Sequence, residues 1–232
     1  MRMIAAAMAL TLSTLPIPAK AQERVETLRA QVAEYEALVA RLEAQEAVEN
    51  IQAAFGYYID KGLWDRAAAL FAADGSYEYG QGGVYIGTDR IRQALALTAP
   101  QGLAPGRLNE TMQLQPYVSV AEDGRSAKAR WRSIQMLTTA EGQGRWGAGL
   151  HENEYAVGVD GKWRITRLHG YVTFLSGYDK AWTADDYPMA GPSTTLPPDR
   201  PPTEVYQSLP GNYLPPYHYR NPVTGRSGEL AR

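Results

Sequence analysis

The chain has 232 residues, 44 % of them hydrophobic, and 23 Lys and Arg against 25 Asp and Glu leave a formal net charge of −2. That length fits one domain with appendages, and the near-neutral balance gives no reason to expect a nucleic acid or an anionic membrane as partner. Zero cysteines exclude disulfides, thiolate nucleophiles and cysteine–metal sites, while 15 Tyr against 3 Phe suit a cavity for a polar aromatic ligand or a wet interface.

Residues 1–21 read as a secretory signal. Arg2 is a minimal basic region, Met3 to Leu15 an apolar run, and Ala19-Lys20-Ala21 an A-x-A cleavage site before Gln22. The run is too short for a stable membrane anchor, so an exported, periplasmic protein with no membrane contact after cleavage is expected. Residues 22–46 form a heptad helix. Val25, Leu28, Val32, Tyr35, Val39 and Leu42 alternate at spacings of three and four, and so narrow a stripe needs a partner surface. That surface is either its own domain, with the helix as a lid, or a neighbouring subunit, and a homo-oligomer, dimer or trimer, is the favoured expectation.

A folded domain is expected over 47–186. Ala47 to Lys61 continues as a helix with Val48, Ile51, Phe55, Tyr58 and Ile59 inward, ended by Gly62. Leu63 to Ala73 reads as a second helix with Trp64 inward, and Ser76 to Tyr79 as a strand. Val84 to Ile86 is a short strand, and Thr88 is placed to N-cap a helix running to Thr98. The long strands are Asn109 to Ala121, Ser126 to Thr138, Gln143 to Val157 and Trp163 to Leu175. Asp123-Gly124 joins the first two of these and Asp160-Gly161 the last two, each a two-residue hairpin signal. Helices first and a curved antiparallel meander after them define an α+β fold.

The Asp160-Gly161 hairpin organises the chemistry. A two-residue turn sets Glu154 opposite Arg167, Glu152 opposite His169 and Leu150 opposite Tyr171, all on the face of Trp163 and Ile165. Glu154–Arg167 reads as a structural ion pair. His169 with Glu152 beside it is the candidate general base. A three-residue loop would shift this register by one. Tyr58 is a candidate proton donor, and Asp60 and Lys61 candidate catalytic groups at the pocket mouth. Trp64, Asn109, Arg132, Trp163 and Tyr171 are candidate substrate contacts. With three histidines and no cysteine, no metal site and no cofactor are expected.

Residues 187–232 change character. Ten of the 15 prolines lie between Pro188 and Pro222, interleaved with Tyr206, Tyr213, Tyr217 and Tyr219. Such a segment is extended, and its tyrosines predict an arm pinned on its own domain or on a neighbour.

The stretches Y-Y-I-D-K-G-L-W-D (57–65), L-F-A-A-D-G-S-Y-E (70–78), V-Y-I-G-T-D-R-I-R (84–92) and D-G-K-W-R-I-T-R-L-H (160–169) resemble the SnoaL-like branch of the nuclear-transport-factor-2-like superfamily. The resemblance implies a cone-shaped curved sheet packed on N-terminal helices around a mostly apolar pocket, and cofactor-free proton transfer by Asp, Glu, His and Tyr. The H-E-N-E-Y and L-H-G-Y-V-T-F strands and the Tyr/Pro-rich tail are similar to a subgroup containing lyases of lignin-derived diaryl compounds, which release formaldehyde and leave a stilbene. A cofactor-independent lyase or isomerase on a small aromatic substrate is therefore the leading expectation. A non-catalytic periplasmic binder of hydrophobic or aromatic ligands and an oligomeric assembly protein are the alternatives.

Overall fold

The computed structural model describes residues 18–183 and 189–227. Most of the secretory segment and the 186/187 junction of the arm lie outside them. The chain divides into two compact units, Met1–Ala40 and Arg41–Arg232. The heptad helix continues unbroken into the next stretch as one helix, α1 (Ala19–Asp60), and no Gly or Pro interrupts it before Gly56. Along it the six heptad positions from Val25 to Leu42 are 43–65 % exposed. No helix among the described residues is long and apolar enough to cross a membrane.

The second unit holds α2 (Trp64–Ala68), β1 (Phe71–Tyr79), β2 (Val84–Ile86), α3 (Thr88–Ala96), β3 (Asn109–Val120), β4 (Ser126–Thr138), β5 (Gly144–Val157) and β6 (Trp163–Gly177). They form a six-stranded sheet in the order β2-β1-β6-β5-β4-β3. The sheet is mixed rather than wholly antiparallel, because β1 runs parallel to β6. Residues 71–73, expected as helix, are drawn into β1 as Phe71 comes to lie beside Ile165 and the Ile165 N–H donates to the Leu70 carbonyl at 3.0 Å. Tertiary pairing here overrides local helical preference. Thr88 begins α3 without acting as its cap: Gly87 holds that position and no side chain caps the end.

One face of the sheet packs against the helices. Val48 and Phe55 of α1, Trp64 of α2 and Ile91 and Leu95 of α3 cluster with Ala127, Ala129, Trp131, Tyr155, Ile165 and Leu168. The C-terminal arm lies on the opposite face of this same domain. Arg200 bridges Val84 across the edge strand, the Tyr206 hydroxyl accepts the Val172 N–H at 2.8 Å, and the Leu209 N–H donates to the Thr173 carbonyl at 2.8 Å. Gly83 makes the first approach possible, since a Cβ there would enter the Pro198 ring.

Two local irregularities in β6 decide which residues face which layer. The hairpin is wider than a two-residue turn: Val157 pairs with Trp163, and the Gly158 N–H donates to the Lys162 carbonyl. This shifts the register by one. A bulge at Thr166, between the pairs Glu154↔Arg167 and Tyr155↔Ile165, shifts it back. Glu152 therefore does pair with His169, and Leu150 with Tyr171, yet the bulge also inverts the side-chain alternation. Glu152, Glu154, Arg167, His169 and Tyr171 consequently lie on the arm side, and Ile165 on the helix side. A second bulge, at Gln115 (φ 52°) and Pro116, resets β3 in the same way beyond Tyr117.

Gly170 shows how tightly the helix-facing surface is built, because a Cβ there would enter the ring of Tyr79. Gly170→Ala is expected to destabilise the domain by about 1–3 kcal/mol, as overpacking does, measured by urea unfolding.

Candidate active site

On the arm side Glu152 and His169 are backbone neighbours whose side chains are tied to other groups. The Glu152 carboxylate meets Arg130 Nε at 2.6 Å and His218 Nδ1 at 2.7 Å. Arg130 also donates to the Pro215 carbonyl at 3.2 Å and lies 3.8 Å from the centre of the Tyr217 ring. His169 is fully buried, stacks on Tyr171 at 4.0 Å and accepts from Arg167 Nη2 at Nδ1, 2.9 Å away. An imidazole whose lone pair faces a guanidinium is a poor proton acceptor. Burial first, and then the Arg167 charge, push its pKa down to about 3. This arrangement fastens the arm to the sheet. Tyr171 belongs to the same layer, packed on Tyr206 and Tyr213. Arg132 is exposed and donates to Gln115.

On the helix side the remaining sequence candidates divide. Trp64 is 2 % exposed and donates to the Ala99 carbonyl at 2.9 Å, which makes it a core residue. Tyr58 and Trp163 pack against the same core, and Lys61 is exposed. Asp60, at the end of α1, is buried and accepts the Thr111 N–H at 2.7 Å. Its pKa is raised, mainly by burial and against the pull of that N–H. Asn109 donates to the Ile59 carbonyl at 2.7 Å and so fixes the same end of α1.

Around Asp60 the helix-facing surface changes from apolar to polar. Along β4 the inward positions run Ala127, Ala129, Trp131, Ser133, Gln135, and along β5 they run Tyr155, Asn153, His151, Gly149, Gly147. Thr111 pairs with Gln135, and Gln135 hydrogen-bonds the Tyr79 hydroxyl. The Tyr79 ring lies 6.2 Å from that of His151. Polar residues thus line a path from Asp60 across the sheet to His151, which no hydrogen bond joins to Tyr79.

His151 is 3 % exposed, and neither ring nitrogen has a partner. Ser133 Oγ and Gln113 Nε2, on the same face, are also buried and unpartnered. Burial pushes the pKa of His151 down to about 4 and that of Tyr79 up to about 12. Both are therefore neutral near pH 7: a free imidazole that accepts a proton and a phenol that gives one. Gln113 is held by Gln52, which in turn accepts from Asn153 at 3.0 Å and from the Tyr155 hydroxyl at 2.5 Å. Each unpartnered buried polar group costs about 1–3 kcal/mol, so these four atoms make the helix-facing surface the candidate ligand site.

Sequence reasoning passed over Gln52, Gln113, Ser133, His151 and Tyr79. The signal was present as a buried Gln in an apolar helical stripe and as a switch from large apolar to small or polar residues along the inward positions of β4 and β5. Among the described residues no group of three or more acidic or histidine side chains is arranged to hold a metal ion.

Residues 40–169 match the SnoaL-like domain family, and the chain belongs to it. No curated protein matches the chain. Among solved structures it is similar to a candidate scytalone dehydratase of Novosphingobium aromaticivorans, at 19 % identity and a TM-score of 0.52 over 68 % of this chain and 97 % of that one. It is also similar to hexachlorocyclohexane dehydrochlorinase LinA, at 14 % identity and a TM-score of 0.54 over 64 % and 99 %, and to the type-3 LinA of Novosphingobium barchaimii, at 16 % and 0.53 over 62 % and 95 %. At these identities the likeness is one of fold, the nuclear-transport-factor-2-like fold.

The two buried histidines make folding stability depend on pH. Their folded pKa values of about 4 and about 3 lie below the ordinary 6.5. Between those limits the unfolded chain binds protons that the folded chain does not. Stability is therefore fully present above pH 6.5 and is lost as pH falls, by about 1.4 kcal/mol per pH unit for each histidine. Urea unfolding from pH 7 to pH 4 checks this, and His151→Asn is expected to lower the slope by about one proton.

Proposed function

We propose that this protein is a cofactor-independent acid–base lyase acting on a small aromatic molecule. The observation that carries the proposal is His151, neutral and buried with both ring nitrogens free, on the polar path to Asp60. Lignin-derived diaryl compounds bearing a terminal hydroxymethyl group are the substrate class, supported by the strand and tail resemblance. His151 takes the proton of the primary hydroxyl, and the carbon–carbon bond breaks to release formaldehyde. The freed electron pair forms the new double bond and expels the benzylic oxygen, which Tyr79 supplies with a proton. Gln113 Nε2 and Ser133 Oγ hold the polar substituents.

Incubation with such dimers is expected to yield formaldehyde together with stilbene absorption. His151→Ala should lower kcat by about 10²–10⁴, as loss of a general base does. Activity should persist down to about pH 4, where the lowered pKa of His151 places its protonation. His169→Ala should cost stability rather than turnover per folded molecule. Full turnover by His151→Ala would sink the assignment. A bound but unaltered ligand would favour a binding protein instead.

We also propose that α1 pairs with a second copy of the chain. Val25, Val32 and Val39 at a positions with Leu28, Tyr35 and Leu42 at d positions form an exposed seam, and β-branched residues at a with leucine at d favour two parallel strands. Because the chain has no cysteine, Val32→Cys reads this out directly. Oxidation should give a covalent dimer, whereas a monomer in light scattering would refute the pairing.

A further inference from the structure

The arm does more than cover the sheet, because it completes a cavity of about 450 Å³ along β1, β2 and β6. The sheet supplies Ser76, Val84, Ile86 and Arg167, and the arm supplies Arg200, Pro201 and Pro202. This cavity lies on the face opposite His151. Ser76 and Arg167 are register partners on adjacent strands, and Arg200 is held over the edge strand by its backbone bridge to Val84.

The charges in this cavity are unevenly satisfied. Glu78, 3 % exposed, has both carboxylate oxygens taken by the Thr203 N–H and hydroxyl. Arg167 spends Nη2 on His169, and its Nη1 stands 4.0 Å from Glu154, a carboxylate that Lys128 already meets at 3.2 Å. The Arg200 side chain has no ion pair among the described residues. The cavity therefore offers guanidinium donors and a hydroxyl between apolar walls of Val, Ile and Pro. A carboxylate satisfies such donors in paired, charge-assisted hydrogen bonds, and an apolar body attached to it fills the remaining space.

We propose that this cavity is a second binding site, for a small carboxylate carrying an apolar or aryl body, with Arg167 and Arg200 as its anion-binding residues. The site is separate from the acid–base surface and does not depend on the function assigned there. Benzoate titrated into the full chain by calorimetry is expected to saturate, while benzamide, equal in shape and uncharged, does not. Arg200→Gln, an exposed substitution that leaves the core untouched, should weaken benzoate binding about tenfold or more, as loss of a charged hydrogen bond does. Arg167→Gln should do the same, and His151→Ala should leave binding unchanged. Failure of benzoate to bind, equal binding of benzamide, or an affinity untouched by Arg200→Gln would each overturn the proposal.

Discussion

The arrangement of this protein depends on one extra residue in a strand. The bulge at Thr166 shifts β6 by one position against β5, and with period-two alternation that shift exchanges the two faces of β6 from Arg167 to Val172, where a further shift opposite Ala148 and Gly149 ends it. Ile165 stays in the helix-packed core, while Arg167, His169 and Tyr171 turn to the arm. The β5 strand has no matching irregularity there, so Tyr155, Asn153 and His151 remain on the helix side throughout. The histidine of β6 keeps one ring nitrogen on Arg167, and the histidine of β5 becomes the one with both ring nitrogens free.

The two faces solve different physical problems. On the arm side, charges that would be costly alone are paired: Arg130 and His218 close on Glu152, and Thr203 closes on Glu78. Removing one member of such a set leaves another buried and uncompensated, which ties the proline-rich arm to the sheet although the arm's described residues contain no helix or extended strand. On the helix side the polar groups are deliberately incomplete. Gln52 immobilises Gln113, Asn153 and Tyr155, while His151 and Ser133 are left without partners. Rigid support behind unsatisfied groups is the arrangement a preorganised site requires.

Much of this was legible in the sequence. The long strands, the Asp123-Gly124 hairpin, the pair Glu152–His169 and the fixed arm all follow from alternation, Asp-Gly turns and tyrosine content. The Glu152–His169 pairing emerged through two compensating local departures, a wider turn and a bulge. No propensity announces a bulge at Thr166, so the face of His169 was beyond reach. Asp60 was legible from its place at the end of an apolar helical stripe. Tyr79 was not, because its position over Gly170 depends on the parallel pairing of β1 with β6, a long-range contact that follows from no local pattern. The start of β1 differs from expectation for a similar reason, since strand recruitment is settled by packing.

We place ligand chemistry on the helix-facing surface, with His151 at its centre. Imidazole nitrogen resonances of the three histidines, followed by NMR while a non-reactive diaryl analogue is titrated in, test it most directly. The His151 signals are expected to move with saturation while those of His169 and His218 hold still. Movement of His169 and His218 with His151 unchanged would contradict it and return the chemistry to the arm-covered face.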